Sequence, residues 1–93
     1  MDLIEAKETI RDNNASWVRQ CKAAAVLASS PASTTDDLIA CLNRSGLPAE
    51  TAATALYFRT GRPRLDSFVV DADDWTAYLN SKPAGHGTSP IGA

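Results

Sequence analysis

Apolar residues recur at helical spacing through the first third of the chain, and this pattern limits the possible fold more than any other feature. The stripe has members at every seventh position: Leu3, Ile10, Trp17 and Ala24. Residues seven apart lie on one side of an α-helix, so the pattern predicts an amphipathic helix over residues 2–28. Asparagines at positions 13 and 14 compete with the backbone for hydrogen bonds. One bent helix and two short helices are therefore both admissible.

Capping and turn residues predict three further helices. Thr34 or Thr35 is suited to cap the first of them, Gly46 to end it in a left-handed conformation, and Pro48 to start the next. Asp71 or Asp73 is suited to cap the last. The predicted helices cover residues 35–45, 48–59 and 72–80.

Residues 65–70 contain the chain's only β-leaning run, with Phe68, Val69 and Val70 at its centre. Residues 81–93 are rich in glycine, proline and serine and predict a mobile tail. The expected fold is mainly α: a small domain over residues 1–80 with four to five helices and one short β-strand or wing. A winged helix-turn-helix has the same order of elements.

Composition is compatible with one folded core. Hydrophobic residues make up 44% of the 93 positions and charged residues 22%, which is ordinary for a globular domain. Alanine is plentiful and aromatic residues are scarce, which favours close helix packing over a wide aromatic-lined pocket. Trp17 and Trp75 lie on the apolar stripes of their helices, so both are predicted to anchor the core.

Catalysis and metal binding find little support. The only histidine, His86, lies between two glycines in the predicted tail, where no nucleophile or acid would hold it. Cys21 and Cys41 match no ligand pair and are interpreted as small buried hydrophobes. The acids from Asp71 to Asp74 begin like a calcium loop, but they lack its later glycine and glutamate. We therefore expect a protein that is not an enzyme and needs no metal or cofactor.

Targeting signals are equally sparse. The N-terminus has no apolar stretch typical of a secretory signal, and no run of about 18 apolar residues could cross a bilayer. We expect a cytoplasmic protein without a membrane partner.

Charge is unevenly distributed in the second half of the chain. Arg59, Arg62 and Arg64 stand together and are followed by four aspartates, which are also able to neutralise them internally. With Thr54 and Tyr57, these arginines form the predicted partner- or nucleic-acid-binding set. In a DNA-binding regulator, helix 48–59 would enter the major groove and the arginine turn would contact phosphates or the minor groove.

Binding to another protein is nevertheless the leading hypothesis. The net charge of −2 argues against a surface dominated by phosphate contacts. Self-association is also possible, through the N-terminal helix or through an unpaired strand edge. In a further alternative, the domain is a leader or carrier that presents residues 81–93.

Overall fold

Five α-helices account for most of the chain in the computed structural model, which describes residues 1–64 and 67–81. The helices are α1 (Leu3–Arg11), α2 (Trp17–Ser29), α3 (Thr35–Leu42), α4 (Leu47–Thr60) and α5 (Ala72–Ser81). The mainly helical fold with five helices is confirmed. Within the described ranges no helix has the length and apolar character needed to cross a membrane.

The predicted helix 2–28 is two helices, because the chain turns after Arg11. The Asp12 carboxylate accepts a hydrogen bond from the Asn14 amide at 2.9 Å, and the Ser16 hydroxyl caps α2. From the far end of α3, Arg44 donates to the Ile10 carbonyl at 2.9 Å and covers the open end of α1. Side-chain bonds to the backbone therefore interrupt the apolar stripe.

The interruption turns the third member of the stripe away from the core. The Trp17 side chain is 55% exposed, whereas Ile10 and Ala24 are fully buried. The prediction that Trp17 anchors the core is wrong, because its seven-residue spacing aligns with Ile10 only if the helix is continuous. The corresponding prediction for Trp75 is confirmed, since that side chain is fully buried.

The most extensive helix contact joins α2 to α4 through small side chains. Fully buried residues on these two helices include Ala23, Ala24 and Leu27 of α2 and Ala52, Ala53 and Leu56 of α4. Alanines allow two helix backbones to approach closely. A methyl group added at Gly46 would lie 3.8 Å from the Trp17 indole nitrogen, and Arg59 reaches the end of α2. The two helices therefore lie side by side and point the same way.

Gly46 and Gly61 bound α4 with positive φ angles of 73° and 71°. An L-residue with a side chain rarely adopts such angles, so glycine is needed at both positions. The prediction that Gly46 ends the preceding helix in a left-handed conformation is wrong, because α3 ends at Leu42 with Asn43 in the right-handed helical region, and Gly46 precedes α4 with a ψ of −137°. Pro48 lies in the first turn of α4, as its missing amide hydrogen allows.

A capping box starts α3 and connects it to α1. The Thr34 hydroxyl accepts from the Asp37 amide, and the Asp37 carboxylate accepts from the Thr34 amide at 2.9 Å. Asp37 is only 3% exposed and also pairs with Arg11 at 3.0 Å and Lys7 at 3.6 Å. Burial acts to raise the Asp37 pKa, but these hydrogen bonds and charges outweigh it and hold the pKa below 3.8.

Asp37→Asn is expected to lower the free energy of unfolding by about 1–3 kcal/mol at pH 7, because three donors lose a charged acceptor. The pKa of Asp37 is lower in the folded state than in the unfolded state, so its ionisation stabilises the fold at any pH above the unfolded-state pKa. This stabilisation is lost as the pH falls through the folded-state pKa, where the carboxylate takes up a proton. The gap between the two proteins should therefore be constant above about pH 5 and shrink below about pH 4.

Urea unfolding across this pH range measures the gap. Asp36→Asn is the matched control, since Asp36 is an exposed acid in the same first turn. A gap that persists undiminished at pH 2.5 would show that the charge of Asp37 is irrelevant.

Residues 67–70 are not a strand, so the prediction of a β-strand or wing over 65–70 is wrong for the part that the structure describes. The backbone here is extended, and aromatic side chains form hydrogen bonds with it instead of a neighbouring strand. The Val69 amide donates to the Tyr57 hydroxyl at 3.0 Å, and the Trp75 indole N–H donates to the Val69 carbonyl at 2.8 Å. These side chains form the hydrogen bonds with Val69 that a partner strand would otherwise supply.

Asp71 starts α5 by accepting a hydrogen bond from the Asp74 amide at 2.8 Å. Trp75 on α5 packs edge-to-face against Tyr57 and Tyr78, with ring centroids 4.9 and 5.7 Å away. This aromatic cluster fastens α5 to α4. Ser81 ends α5, and the rest of the predicted tail, residues 82–93, lies outside the described residues.

Candidate interaction surface

Arg59 belongs to the predicted binding set, but its guanidinium is used inside the domain. It donates to the carbonyls of Leu27, Ser30 and Ser33 and to the Ser33 hydroxyl, at 2.6–3.2 Å. Carbonyls at the end of a helix have no partner within that helix. Arg59 therefore caps α2, although its side chain stays partly exposed.

Arg62 is likewise held within the domain. Its guanidinium carbon lies 4.6 Å from the ring centroids of both Trp75 and Tyr78, and its Nη2 pairs with Asp74 at 2.8 Å. The Nη1 atom is buried and has no hydrogen-bond partner among the described residues, a cost that the two ring faces offset through cation–π attraction. The possibility that an aspartate neutralises a nearby arginine internally is realised here.

Tyr57 was expected to face outward and is instead only 7% exposed. Its ring stacks on Phe68 with centroids 5.5 Å apart, and its hydroxyl is occupied by the Val69 amide. Arg64 is exposed and covers this pair, with its guanidinium carbon 4.8 Å from the Phe68 centroid and 5.5 Å from that of Tyr57. Arg64 is thus the member of the arginine set that is most available to a partner.

A depression of about 280 Å³ collects most of the predicted binding residues around one side chain that the sequence analysis did not single out. Thr54, Tyr57, Arg62 and Arg64 line it together with Phe58. The Phe58 side chain is 85% exposed, more than any other large hydrophobic side chain of the described residues. The arginines thus form the rim of a surface whose most exposed apolar group is an aromatic ring.

A second, larger depression lies on the other side of Phe58, between α2 and α4. This open groove has a volume of about 450 Å³, and no charged side chain lines it. Its lining is Ala25, Ala28, Ser29, Thr51, Thr54, Ala55 and Phe58. Small side chains line a channel beside a protruding ring, an arrangement that suits apolar side chains of a partner.

Both depressions belong to one continuous surface, which we call the α2–α4 face. It comprises Val18, Lys22, Ala25 and Ser29 on α2 with Leu47, Glu50, Thr51, Thr54 and Phe58 on α4. Spacings of three and four residues align each set along its helix. Val18 and Leu47 are 57% and 51% exposed at one end of the face, and Phe58 lies at the other, so apolar side chains occupy both ends.

The position of Phe58 in the sequence already indicates that its side chain faces solvent. The buried stripe of α4 runs through Ala49, Ala52, Ala53 and Leu56. Phe58 follows Leu56 by two positions, which is about 200° around the helix. A large aromatic residue opposite a stripe of alanines is a candidate for a binding surface, because a core of small residues has no place for it.

The residues predicted to matter least for function include the cysteines and the lone histidine. The described residues contain no group of three or more His, Cys, Asp or Glu residues placed to hold a metal ion. Cys41 is fully buried, and burial raises the pKa of its thiol to about 12, so it stays protonated at neutral pH. Cys21 is half-buried. His86 lies outside the described residues.

Three comparisons with known proteins found no similar chain. A scan against protein-family models finds no match, and neither the curated proteins nor the solved structures include a chain that matches this one.

Proposed function

We propose that this chain is a small, non-enzymatic protein-interaction domain, acting in interaction or regulation, whose contact surface is the α2–α4 face. The observation that carries the proposal is the 85% exposure of Phe58 beside an uncharged groove of small side chains. Exposed aromatic rings are costly in water, and buried aromatic anchors supply much of the energy of protein interfaces. Burying Phe58 and the groove against a partner removes that cost.

The rim of the face supports the same proposal. Arg64 is exposed at the edge of the smaller depression, and arginine is enriched at protein interfaces. Since Tyr57 and Phe68 already hold its guanidinium, little side-chain freedom is lost when a partner binds it. A cytoplasmic location remains part of the proposal as a prediction from the sequence.

A DNA-binding regulator is the weaker alternative. Arg59 and Arg62 are committed to internal contacts, and residues 67–70 contribute no strand to a wing. The remaining carrier hypothesis concerns residues 81–93, which fall outside the described residues except for Ser81. Binding to duplex DNA that falls steeply with salt and is lost in a folded Arg64→Gln protein would favour the DNA alternative.

Photocrosslinking in the native host tests the protein-binding proposal. A photoreactive phenylalanine analogue replaces Phe58 in one protein and Ile4 in a matched control, because Ile4 is 71% exposed on α1 away from the face. We expect discrete protein adducts from position 58 and none above background from position 4. Equal adducts from both positions, or none from either, would contradict the proposal.

Phe58→Ser is expected to weaken binding to the protein identified by crosslinking by at least tenfold, roughly 1.4 kcal/mol. The free energy of unfolding should change by less than about 0.5 kcal/mol, because the side chain is mostly exposed. Calorimetric titration measures the first quantity and urea unfolding the second. Ile4→Ser should leave both unchanged, and unaltered affinity in Phe58→Ser would place the interface elsewhere.

A further inference from the structure

We infer that the partner of the α2–α4 face is a second copy of this chain, which forms a symmetric dimer about a twofold axis parallel to α2 and α4. This inference rests on the proposed function, since it names the occupant of the same face. It follows from the alignment of the two helices, the position of two unpaired charges and the shape of the groove.

The two helices are aligned in a regular way. Trp17 lies beside Gly46 at one end, and Arg59 reaches Ser30 at the other. Trp17 precedes Gly46 by about 29 positions, and the three residues whose carbonyls accept from Arg59, Leu27, Ser30 and Ser33, centre on the same offset, as expected for adjacent helices with equal rise per residue. Val18 is therefore at the same height along the helices as Leu47, and Ser29 is at the same height as Phe58. Lys22 is at the height of Thr51, which is next to Glu50.

Apart from the arginines at its rim, the α2–α4 face carries two charges, which are of opposite sign. Lys22 and Glu50 are exposed, and neither forms an ion pair within the described part of the chain. A twofold axis parallel to the helices places α2 of one copy on α4 of the other. Rotation about this axis does not shift residues along the helices, so residues that are level within one copy also face each other between the copies. Each Lys22 then faces the partner's Glu50, so the face is complementary in charge to itself.

The same operation matches the shape of the face. Phe58 is level with Ser29, so it meets the partner's groove along the wall formed by Ala25, Ala28 and Ser29. Val18 meets the partner's Leu47 at the other end. One projecting ring and one groove on the same surface are what an isologous interface requires, because every contact occurs twice.

Analytical ultracentrifugation of the purified full chain between about 5 and 500 μM, the concentration range of weak association, tests the inference. We expect a reversible monomer–dimer equilibrium. Phe58→Ser should weaken dimerisation at least 30-fold, as expected for an aromatic anchor that fills the partner's groove. Monomer at every concentration of the unmodified chain would overturn the inference.

A charge swap tests the axis. At low salt, Lys22→Glu and Glu50→Lys should each weaken dimerisation about 5- to 10-fold through like-charge contacts, and the double variant should recover to within about threefold of the original. Glu8→Lys is the matched control, because Glu8 is exposed on α1 and its replacement changes the net charge as Glu50→Lys does. Failure of the double variant to recover, or an equal loss in Glu8→Lys, would overturn the inference.

The two proposals fail in different ways. If the chain stays monomeric but position 58 crosslinks to a different protein, the interaction domain stands and the dimer does not. If position 58 yields an adduct of twice the 9.9 kDa chain mass, both are supported. A dimer unaffected by Phe58→Ser uses another surface and overturns this inference.

Discussion

Replacing Trp75 with alanine is expected to lower the free energy of unfolding by about 3–5 kcal/mol. Trp75 is the largest fully buried side chain, and it contacts Tyr57, Tyr78 and Arg62 as well as the Val69 carbonyl. Its loss leaves a cavity, an unpaired carbonyl and a guanidinium with one aromatic face in place of two. A domain of this size has only about 5–15 kcal/mol in total, so the variant should be close to unfolding at 37 °C.

Urea unfolding followed by far-ultraviolet circular dichroism measures this effect. Trp17→Ala is the matched control, because the same side chain is removed at a position that is 55% exposed. We expect the control to lose less than about 1 kcal/mol. Similar losses in both variants would contradict the different positions of the two tryptophans.

Replacing Arg59 with alanine is expected to lower the free energy of unfolding by about 2–3 kcal/mol. The guanidinium donates four hydrogen bonds to the end of α2 and the turn that follows it. The Leu27 and Ser30 carbonyls keep a bond from the Ser33 hydroxyl, but each loses its charged donor. Arg59→Lys should recover part of the stability, since an ammonium cannot reproduce the planar fork of donors.

Arg64→Ala is the control for Arg59, because Arg64 is exposed and its contacts are with aromatic ring faces. Its loss should cost about 0.5–1 kcal/mol. Thermal unfolding of Arg59→Ala, Arg59→Lys and Arg64→Ala, each compared with the unmodified chain, measures the order of stability. If Arg59→Ala is as stable as the unmodified chain, its guanidinium is available for binding, and the original assignment of Arg59 to a binding set is restored.

The helices are predictable because their signals are local. Thr34, Gly46, Pro48 and Asp71 act within three or four residues along the chain, so capping and turn chemistry are visible in the sequence. The strand at residues 65–70 is a failure of the same reasoning. β-propensity identifies an extended backbone, but only a neighbouring strand makes it part of a sheet, and here Tyr57 and Trp75 take that place.

The arginine set shows why the candidate site was only partly predictable. Adjacency in sequence suggests one basic surface, yet Arg59, Arg62 and Arg64 point to three different environments because each follows its own side-chain partners. The distance from Arg59 to Leu27 along the chain is long, so no local pattern reveals their contact. Phe58 was missed for a different reason: hydrophobic residues are ordinarily assigned to the core, so an exposed one is not expected.

The sequence by itself determined that this chain is mainly helical and where most helices begin and end, because those properties depend on spacing, capping and turn residues within a few positions. Only the tertiary structure decided which tryptophan is buried, which arginines stay inside the domain and which aromatic ring faces solvent. These outcomes depend on the packing of α4 against α2, of α5 against α3 and of Trp75 against Tyr57, and packing depends on residues that are far apart in sequence.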